Sequence, residues 1–382
     1  MSAPRYRIPF IQPLPPAMLF QQAESFESRL GSTPDRIRYY YLARNAIWHG
    51  MPLLGLRPGD EILMPIYHHG VEVDTMIHLG YRMAYYRIDE HMRIDLEHLH
   101  RVATAASRAL YVIHYLGMPQ PMEDLRQFAR DRGLRLIEDC ALALFSRDGG
   151  ELLGGTGDLS IYCLYKTLPV PHGGVLRVND PSLAVPPPST APGALSTAAY
   201  LAHRTLEGYE LEWSPWGGDR IIAALRGIAR RLKGAARTEV IPVDTPQFKV
   251  EDADLGIAPI CRRILDRVNP QAIVTRRRDN FRTLAEQLDP GVRAVWRELP
   301  EGMCPLSFPI RVENKPLTQE RLLDAGVQTV NFWFTVHPAA PHDGFPEALA
   351  LRRHVLELPV HQGLHAGHMR FVADQANQLA RW

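Results

Sequence analysis

With 382 residues, 46% hydrophobic and 22% charged, and a net charge of +1, the chain reads as a soluble globular protein of two domains with no call for nucleic acid. Its four cysteines, Cys140, Cys163, Cys261 and Cys304, form no CxxC pair and no His/Cys cluster at metal spacing, which argues for a reducing compartment and against a metal site. No run approaches about 18 apolar residues and the N-terminal MSAPRYRIPFIQPLPPAM lacks an apolar signal segment, so no membrane span is expected and the cytoplasm is the default.

Residues 1–20 are punctuated by proline and predict an extended arm. Residues 35–54 carry Tyr41, Ile47, Met51 and Leu54 at helix-like recurrence, with Pro52 breaking the end. GLRPGDEILMP follows as a turn and a strand, Glu61–Met64, stopped by Pro65. Tyr67-His68-His69-Gly70 falls in the loop beyond it. A helix is predicted over Val71–Leu79, a strand over Arg82–Ile88, a helix over Leu96–Ala105, a strand over Ala109–His114, and a helix over Met122–Arg132 closed by Gly133. This alternation means a βαβ sheet covered on both faces.

The stretch Arg135–Val178 carries the sharpest chemistry. One apolar run ends in Glu138 and Asp139; a glycine-rich turn, Gly149–Gly157, leads into a second that delivers Lys166. Two such runs predict parallel strands presenting ionisable groups at their C-terminal ends. A carboxylate and a lysine brought together suit pyridoxal phosphate. The acid keeps the pyridinium nitrogen protonated and the lysine forms the Schiff base. A lysine in an apolar, aromatic run is expensive to bury unless neutralised or bonded covalently. Gly154-Gly155-Thr156-Gly157 lacks the GxGxxG spacing at a helix start and reads as a turn, not a nucleotide loop.

Beyond Asp180 the composition shifts. PSLAVPPPSTAPGALS is a linker or loop, Thr197–Leu206 a short helix, and GYELEWSPWGG an aromatic turn-rich segment. Residues 219–237 set Ile221, Leu225, Ile228 and Leu232 on one face amid arginines and a lysine. That pattern fits a solvated surface helix or one meeting a membrane surface or a phosphorylated substrate. Residues 260–288 read as one long helix opening a C-terminal α+β domain. Strands are predicted there at Cys304–Val312 and Val327–Phe334, and a turn and helix over His368–Ala380.

The phrases GLRPGDEILMP, VIHYLGMPQPMEDLRQFARDRGLRLIEDCA and GDLSIYCLYKTLPVPHGGVLRVND, in that order, resemble the DegT–StrS family of sugar aminotransferases. The resemblance covers roughly residues 35–180 and is thinner over 260–382, where RRRDNF and LELPVHQGL echo the family. It implies the type I pyridoxal phosphate fold: a large, mostly parallel α/β domain and a smaller α+β domain, here placed at 1–256 and 257–382, with 181–256 variable. It implies Lys166 as the Schiff-base lysine and Asp139 as the ring-nitrogen partner. His69 falls at the ring-stacking position, Ala43 and Arg44 at the phosphate-binding helix start, and Cys163 where the family has a phosphate-contacting serine. Arg44 adds a guanidinium suited to phosphate.

Several positions depart from the family pattern. Leu142 replaces a glutamine facing the cofactor ring, the approach to Lys166 is two residues shorter, and the small phosphate turn is Ala43-Arg44-Asn45. EDADLGIAPI offers no clear match to the loop that the family lends to its partner subunit. His114 and His172 lie near the expected site as proton relays or structural histidines. Asn331, His337 and His361 are candidates for substrate contact.

The expected activity is therefore transamination from an amino acid to a keto acceptor, a nucleotide-linked keto sugar by resemblance, in a cytoplasmic homodimer serving aminosugar or polysaccharide synthesis. Two alternatives stand beside it: pyridoxal phosphate chemistry on a non-sugar substrate, and a non-catalytic relative that keeps the fold to bind or regulate.

Overall fold

The computed structural model describes residues 6–15, 18, 20–21, 24–184, 187–213 and 247–382. After a one-turn helix α1 (Phe26–Arg29), the elements run β1 (Ile37–Tyr40), α2 (Ala43–Gly50), β2 (Glu61–Pro65), α3 (Val71–His78) and β3 (Arg82–Tyr86). Then come α4 (Leu96–Val102), β4 (Ser107–Ile113), α5 (Met122–Arg132) and β5 (Arg135–Asp139). A small hairpin, β6 (Arg147–Asp148) and β7 (Glu151–Leu152), precedes β8 (Leu159–Cys163) and β9 (Gly174–Val178). They are followed by α6 (Ala194–Trp213), α7 (Pro259–Leu265), α8 (Pro270–Gln287), β10 (Arg293–Ala294), β11 (Ser307–Arg311), α9 (Lys315–Asp324), α10 (Pro346–His354), β12 (Val355–Pro359) and α11 (Ala366–Leu379).

Strands β1-β9-β8-β5-β4-β2-β3 form one seven-stranded sheet. The run β3-β2-β4-β5-β8 is parallel, whereas β9 lies antiparallel to both β8 and β1. Burial explains the central strands. β8 is buried at every position and β5 at all but Arg135, as parallel strands covered on both faces require. The chain moves outward from β2 to β3, then returns across β2 to β4 and onward. In open α/β sheets the crevice at such a reversal, beyond the strands' carboxyl ends, is where ligands sit. A second, antiparallel sheet β10-β11-β12 packs with α8 and α11 around Phe281, Phe308, Leu358 and Val372. The N-terminal arm docks on this part of the fold, where Ile8 N–H donates to Gly326 O at 2.8 Å.

The α/β architecture expected from the sequence is present, with three local corrections. Residues 35–54 are not one helical stretch. The aromatic run Arg38-Tyr39-Tyr40 pairs with β9, and only Ala43–Gly50 is α-helical before a 3-10 turn that accommodates Pro52. The long helix expected over 260–288 is two helices. Asn269 caps the second by accepting from Ala272 N–H at 3.0 Å, and Pro270 fills its first position, where no N–H is needed. Val327–Phe334 makes only isolated bridges, Ile8 with Val327 and Val330 with Glu357, and the chain turns left-handed at Trp333, φ +38°, which ends any extended run there. The basic stretch 219–237, with its proposed membrane-surface role, lies outside the described residues. Among those described, no helix is long and apolar enough to cross a membrane.

Candidate active site

The carboxyl ends of β4, β5 and β8 open into a cavity of about 570 Å³, counting its solvent-facing part. Ile113 ends β4, Asp139 ends β5 and Cys163 ends β8; all three line the cavity, and Tyr165 and Lys166 follow on a 3-10 turn. From the α2 start come Leu42, Ala43 and Arg44, and from the loop after β2 come His69, Val71 and Glu72. All six residues marked from the sequence, Lys166, Asp139, His69, Ala43, Arg44 and Cys163, thus face one space.

Asp139 is held at both oxygens. The Tyr111 hydroxyl donates to Oδ2 at 2.7 Å and the Ala141 N–H to Oδ1 at 2.8 Å. Burial, and next the nearby Glu72 carboxylate, push its pKa up to about 6, although Lys166 pulls the other way. A buried acid with this surplus of negative surroundings is poised to receive a cationic N–H. Glu72 was not singled out from the sequence, where it looks like an ordinary acid in a helix's first turn. Its carboxylate accepts from the N–H groups of His69 and Gly70, both at 3.0 Å, and so shapes the loop carrying His69. Burial pushes Glu72 up, but His68, His69 and these backbone bonds leave it lowered overall.

At the other end of the cavity, α2 begins at Ala43. A helix's first turn has N–H groups with no intrahelical acceptors and a partial positive charge, the usual seat for phosphate. Gly174 of β9 backs this turn so closely that a Cβ there would meet Leu42 O at 2.1 Å. The turn is strapped down by residues 247–256. Arg44 Nη1 donates to Gln247 O at 2.6 Å, Asn45 Nδ2 to Ala253 O at 2.9 Å, and Tyr41 N–H to Leu255 O at 2.8 Å. Part of EDADLGIAPI, residues 251–260, which offered no clear match to the family's loop, thus braces the helix start through Ala253 and Leu255.

Other expected contacts fall elsewhere. His114 does not line the cavity: its Nδ1 accepts from Gln120 N–H at 3.2 Å, so its proton is on Nε2, facing Glu138 at 3.2 Å. His172 is buried against Tyr41, ring centroids 4.3 Å apart, and burial lowers it to about 4. His361 is buried with Nε2 at 2.9 Å from Pro9 O, too enclosed for substrate. His337 reaches Asp74 at 3.4 Å, and neither it nor Asn331 lines the cavity. The smaller C-terminal part contributes Trp333 instead, with its ring 6.4 Å from that of His69. Its sequence, Phe332-Trp333-Phe334, reads as strand and concealed this role.

Among the described residues, His114, Glu138 and Cys140 also bring potential metal-ligand atoms within 4.8 Å of one another. The protonated Nε2 of His114 faces Glu138, and three backbone N–H groups already occupy that carboxylate, so the group reads as a hydrogen-bond cluster.

Residues 43–186 match the DegT/DnrJ/EryC1/StrS aminotransferase family. A dTDP-4-dehydro-2,3,6-trideoxy-D-glucose 4-aminotransferase of Saccharopolyspora spinosa is 26% identical over 365 residues, 92% of this chain and 86% of that protein. The aminotransferase TlmJ of Streptoalloteichus hindustanus superposes with a TM-score of 0.69 at 20% identity, covering 97% of this chain and 98% of that one. A putative sugar aminotransferase of Streptococcus pneumoniae in its PLP-form gives a TM-score of 0.67 at 14% identity, covering 98% of both chains.

Proposed function

The chain is a distant member of the DegT/DnrJ/EryC1/StrS aminotransferase family, and from that premise we propose that it is a pyridoxal-phosphate-dependent aminotransferase acting on a nucleotide-linked keto sugar. The observation that carries this reading is the convergence of Asp139, Lys166 and the α2 start on one cavity at the sheet's carboxyl edge. The residues present suit the cofactor: a buried acid whose pKa is raised by burial and a neighbouring carboxylate, a lysine, and a helix start braced for an anion. When bound, pyridoxal phosphate supplies an electron sink for the negative charge left by a proton lost from the donor's Cα.

This chain's own groups do the remainder. Asp139 holds the ring nitrogen's proton, fixed in direction by Tyr111 and Ala141. Ala43 and Arg44 seat the phosphate through the first turn of α2. His69 would pack on the ring face, and Leu142 makes the neighbouring cavity wall apolar where the resemblance implies a glutamine. Lys166 Nζ, which lines the cavity, would hold the cofactor through its aldehyde carbon and, when free, would carry the proton from the donor Cα. Cys163 lines the cavity with a thiol that burial pushes up, so it would pack beside the phosphate and not act as a nucleophile. The activity of the Saccharopolyspora relative, 26% identical, supports the choice of a nucleotide-linked sugar as acceptor. Division at residue 256, action as a homodimer, a cytoplasmic setting and a place in aminosugar synthesis belong to the same reading.

The test is spectroscopic. Protein mixed with pyridoxal phosphate should gain a visible absorption band that L-glutamate removes and a nucleotide-linked keto sugar restores. Lys166→Ala should show no band. A wild-type protein without one ends the enzyme reading; a band indifferent to keto sugars but restored by other keto acids ends the sugar reading.

A further inference from the structure

The cavity's His69 and Trp333 walls come from parts of the chain more than 260 residues apart, and one buried side chain ties them together. Arg352, on α10, is 4% exposed. Its Nη2 donates to Ile66 O at 3.1 Å, and its Nη1 to His68 O at 3.1 Å, Trp333 O at 3.0 Å and Thr335 O at 2.5 Å. Two of these carbonyls, of Ile66 and His68, lie within three residues before His69; the others belong to Trp333 and its near neighbour Thr335. The guanidinium carbon also stands 5.2 Å over the ring of Tyr67, whose own ring lies 5.2 Å from that of Trp333.

The loop so held needs holding. Trp333 has φ +38°, a left-handed conformation that a bulky side chain adopts only where its surroundings impose it. A second buried donor adds to the restraint, because Lys315 Nζ donates to Phe332 O at 2.8 Å and to Arg352 O at 2.9 Å. Trp333 is bracketed by carbonyls bound to Lys315 and Arg352. A planar guanidinium donates in fixed directions, whereas an ammonium is a point charge, so the fork itself sets the spacing of the two segments.

We propose that Arg352 is a positioning residue that sets the separation of the His69 and Trp333 walls, and through it the fit of substrate beside Lys166. This rests on the aminotransferase reading above. Arg352 does not line the cavity; it acts through Trp333 and His69.

The experiment compares wild type, Arg352→Gln and Arg352→Lys, each saturated with pyridoxal phosphate, in the half-reaction with L-glutamate. The visible band should persist in both variants, since Lys166 and Asp139 are untouched. Half-saturating glutamate should rise about tenfold in Arg352→Gln and less in Arg352→Lys, with the limiting rate within about threefold, as misplaced walls weaken fit before they alter chemistry. The circular dichroism of the bound cofactor should change with it. In a Trp333→Ala background Arg352→Lys should add less than about twofold, because residues acting as a unit are non-additive.

If Arg352→Gln does not fold, Arg352→Lys and the Trp333→Ala pair decide by the same readings. Unchanged half-saturation and dichroism, or full additivity with Trp333→Ala, overturns the proposal alone. A wild-type protein with no visible band overturns the aminotransferase reading, and this proposal with it.

Discussion

Glu138 and Asp139 are neighbours on β5, yet the pleat sends them to opposite environments. Glu138 turns into a fully satisfied nest. It accepts from Gly154 N–H at 3.0 Å, Thr156 N–H at 2.7 Å and Gly157 N–H at 2.6 Å, and His114 completes the set. Burial pushes its pKa up, but these bonds hold it below the usual carboxylate range. Asp139 turns to the cavity with two donors and a second carboxylate nearby, and is raised to about 6. The first acid is spent on the fold, wrapping the glycine turn around itself so closely that a Cβ at Gly157 would meet Leu136 O at 2.7 Å. The second is kept short of positive partners. Burial alone marks neither as functional, and what separates them is whether their partners are already in the chain.

The sharpest way to break this contrast is Asp139→Asn. Activity should fall about a hundred- to a thousandfold, the scale on which removing an electrostatic partner acts. Stability of the cofactor-free protein should move the other way. An acid whose folded pKa exceeds its unfolded value binds more protons folded than unfolded, so it costs stability as pH rises through the window from about 4 to about 6 and at every pH above. The amide is free of that cost, and its oxygen and NH₂ can still meet Ala141 N–H and the Tyr111 oxygen. Cofactor-free Asp139→Asn should therefore be more stable than wild type at pH 7, by about 1–3 kcal/mol, with the gain shrinking towards pH 4. Urea unfolding at the two pH values checks this. Equal stability at pH 7 would show that Asp139 is not strained by its surroundings.

Glu138→Gln is the mirror experiment. The amide cannot accept from three backbone N–H groups and His114 together, so donors are left buried without acceptors, at a cost of about 2–4 kcal/mol. Because the folded pKa of Glu138 is lowered, the wild-type advantage is present above its unfolded value near 4.5 and is lost as pH falls through the folded one. The two substitutions thus have opposite signs at neutral pH and converge in acid. A Glu138→Gln protein as stable as wild type at pH 7 would mean the nest does not depend on the charge.

That contrast was only half legible in the sequence. Both acids and Lys166 stood out because their apolar runs are buried on both faces and end in ionisable residues. The parallel pairing of Asp139 with Ile161 then brings the strand ends together. Which acid served the cavity came from family phrasing, since pattern alone ranks neighbours equally. Gly154–Gly157 was correctly a turn, but its purpose, capping Glu138, depends on a fold-back that no local pattern encodes. Glu72, Trp333 and Arg352 were missed for a common reason. Each acts through backbone groups or across more than 60 residues of chain, and its local sequence is ordinary for a helix or a strand.

The environments of Glu138 and Asp139 also hold a cysteine each, which sharpens the comparison at its smallest scale. Cys140 lies with Glu138 and His114, and burial with two neighbouring acids drives its thiol well above the usual range. Cys163 ends β8 on the cavity side, and burial raises it too, but Lys166 and Arg44 offset part of the rise. The thiolate is the reactive species, so both should alkylate slowly, with Cys163 ahead because it alone of the two lines the cavity. Iodoacetamide labelling of the native cofactor-free protein, read by peptide mapping, should mark Cys163 before Cys140, and saturating pyridoxal phosphate should slow Cys163 without affecting Cys140. Cys140 should label only at the rate of global unfolding. Labelling of Cys140 ahead of Cys163 would mean that the Glu138 side opens to solvent more readily than the cavity does, and the division between a sealed structural face and an accessible chemical one would not hold.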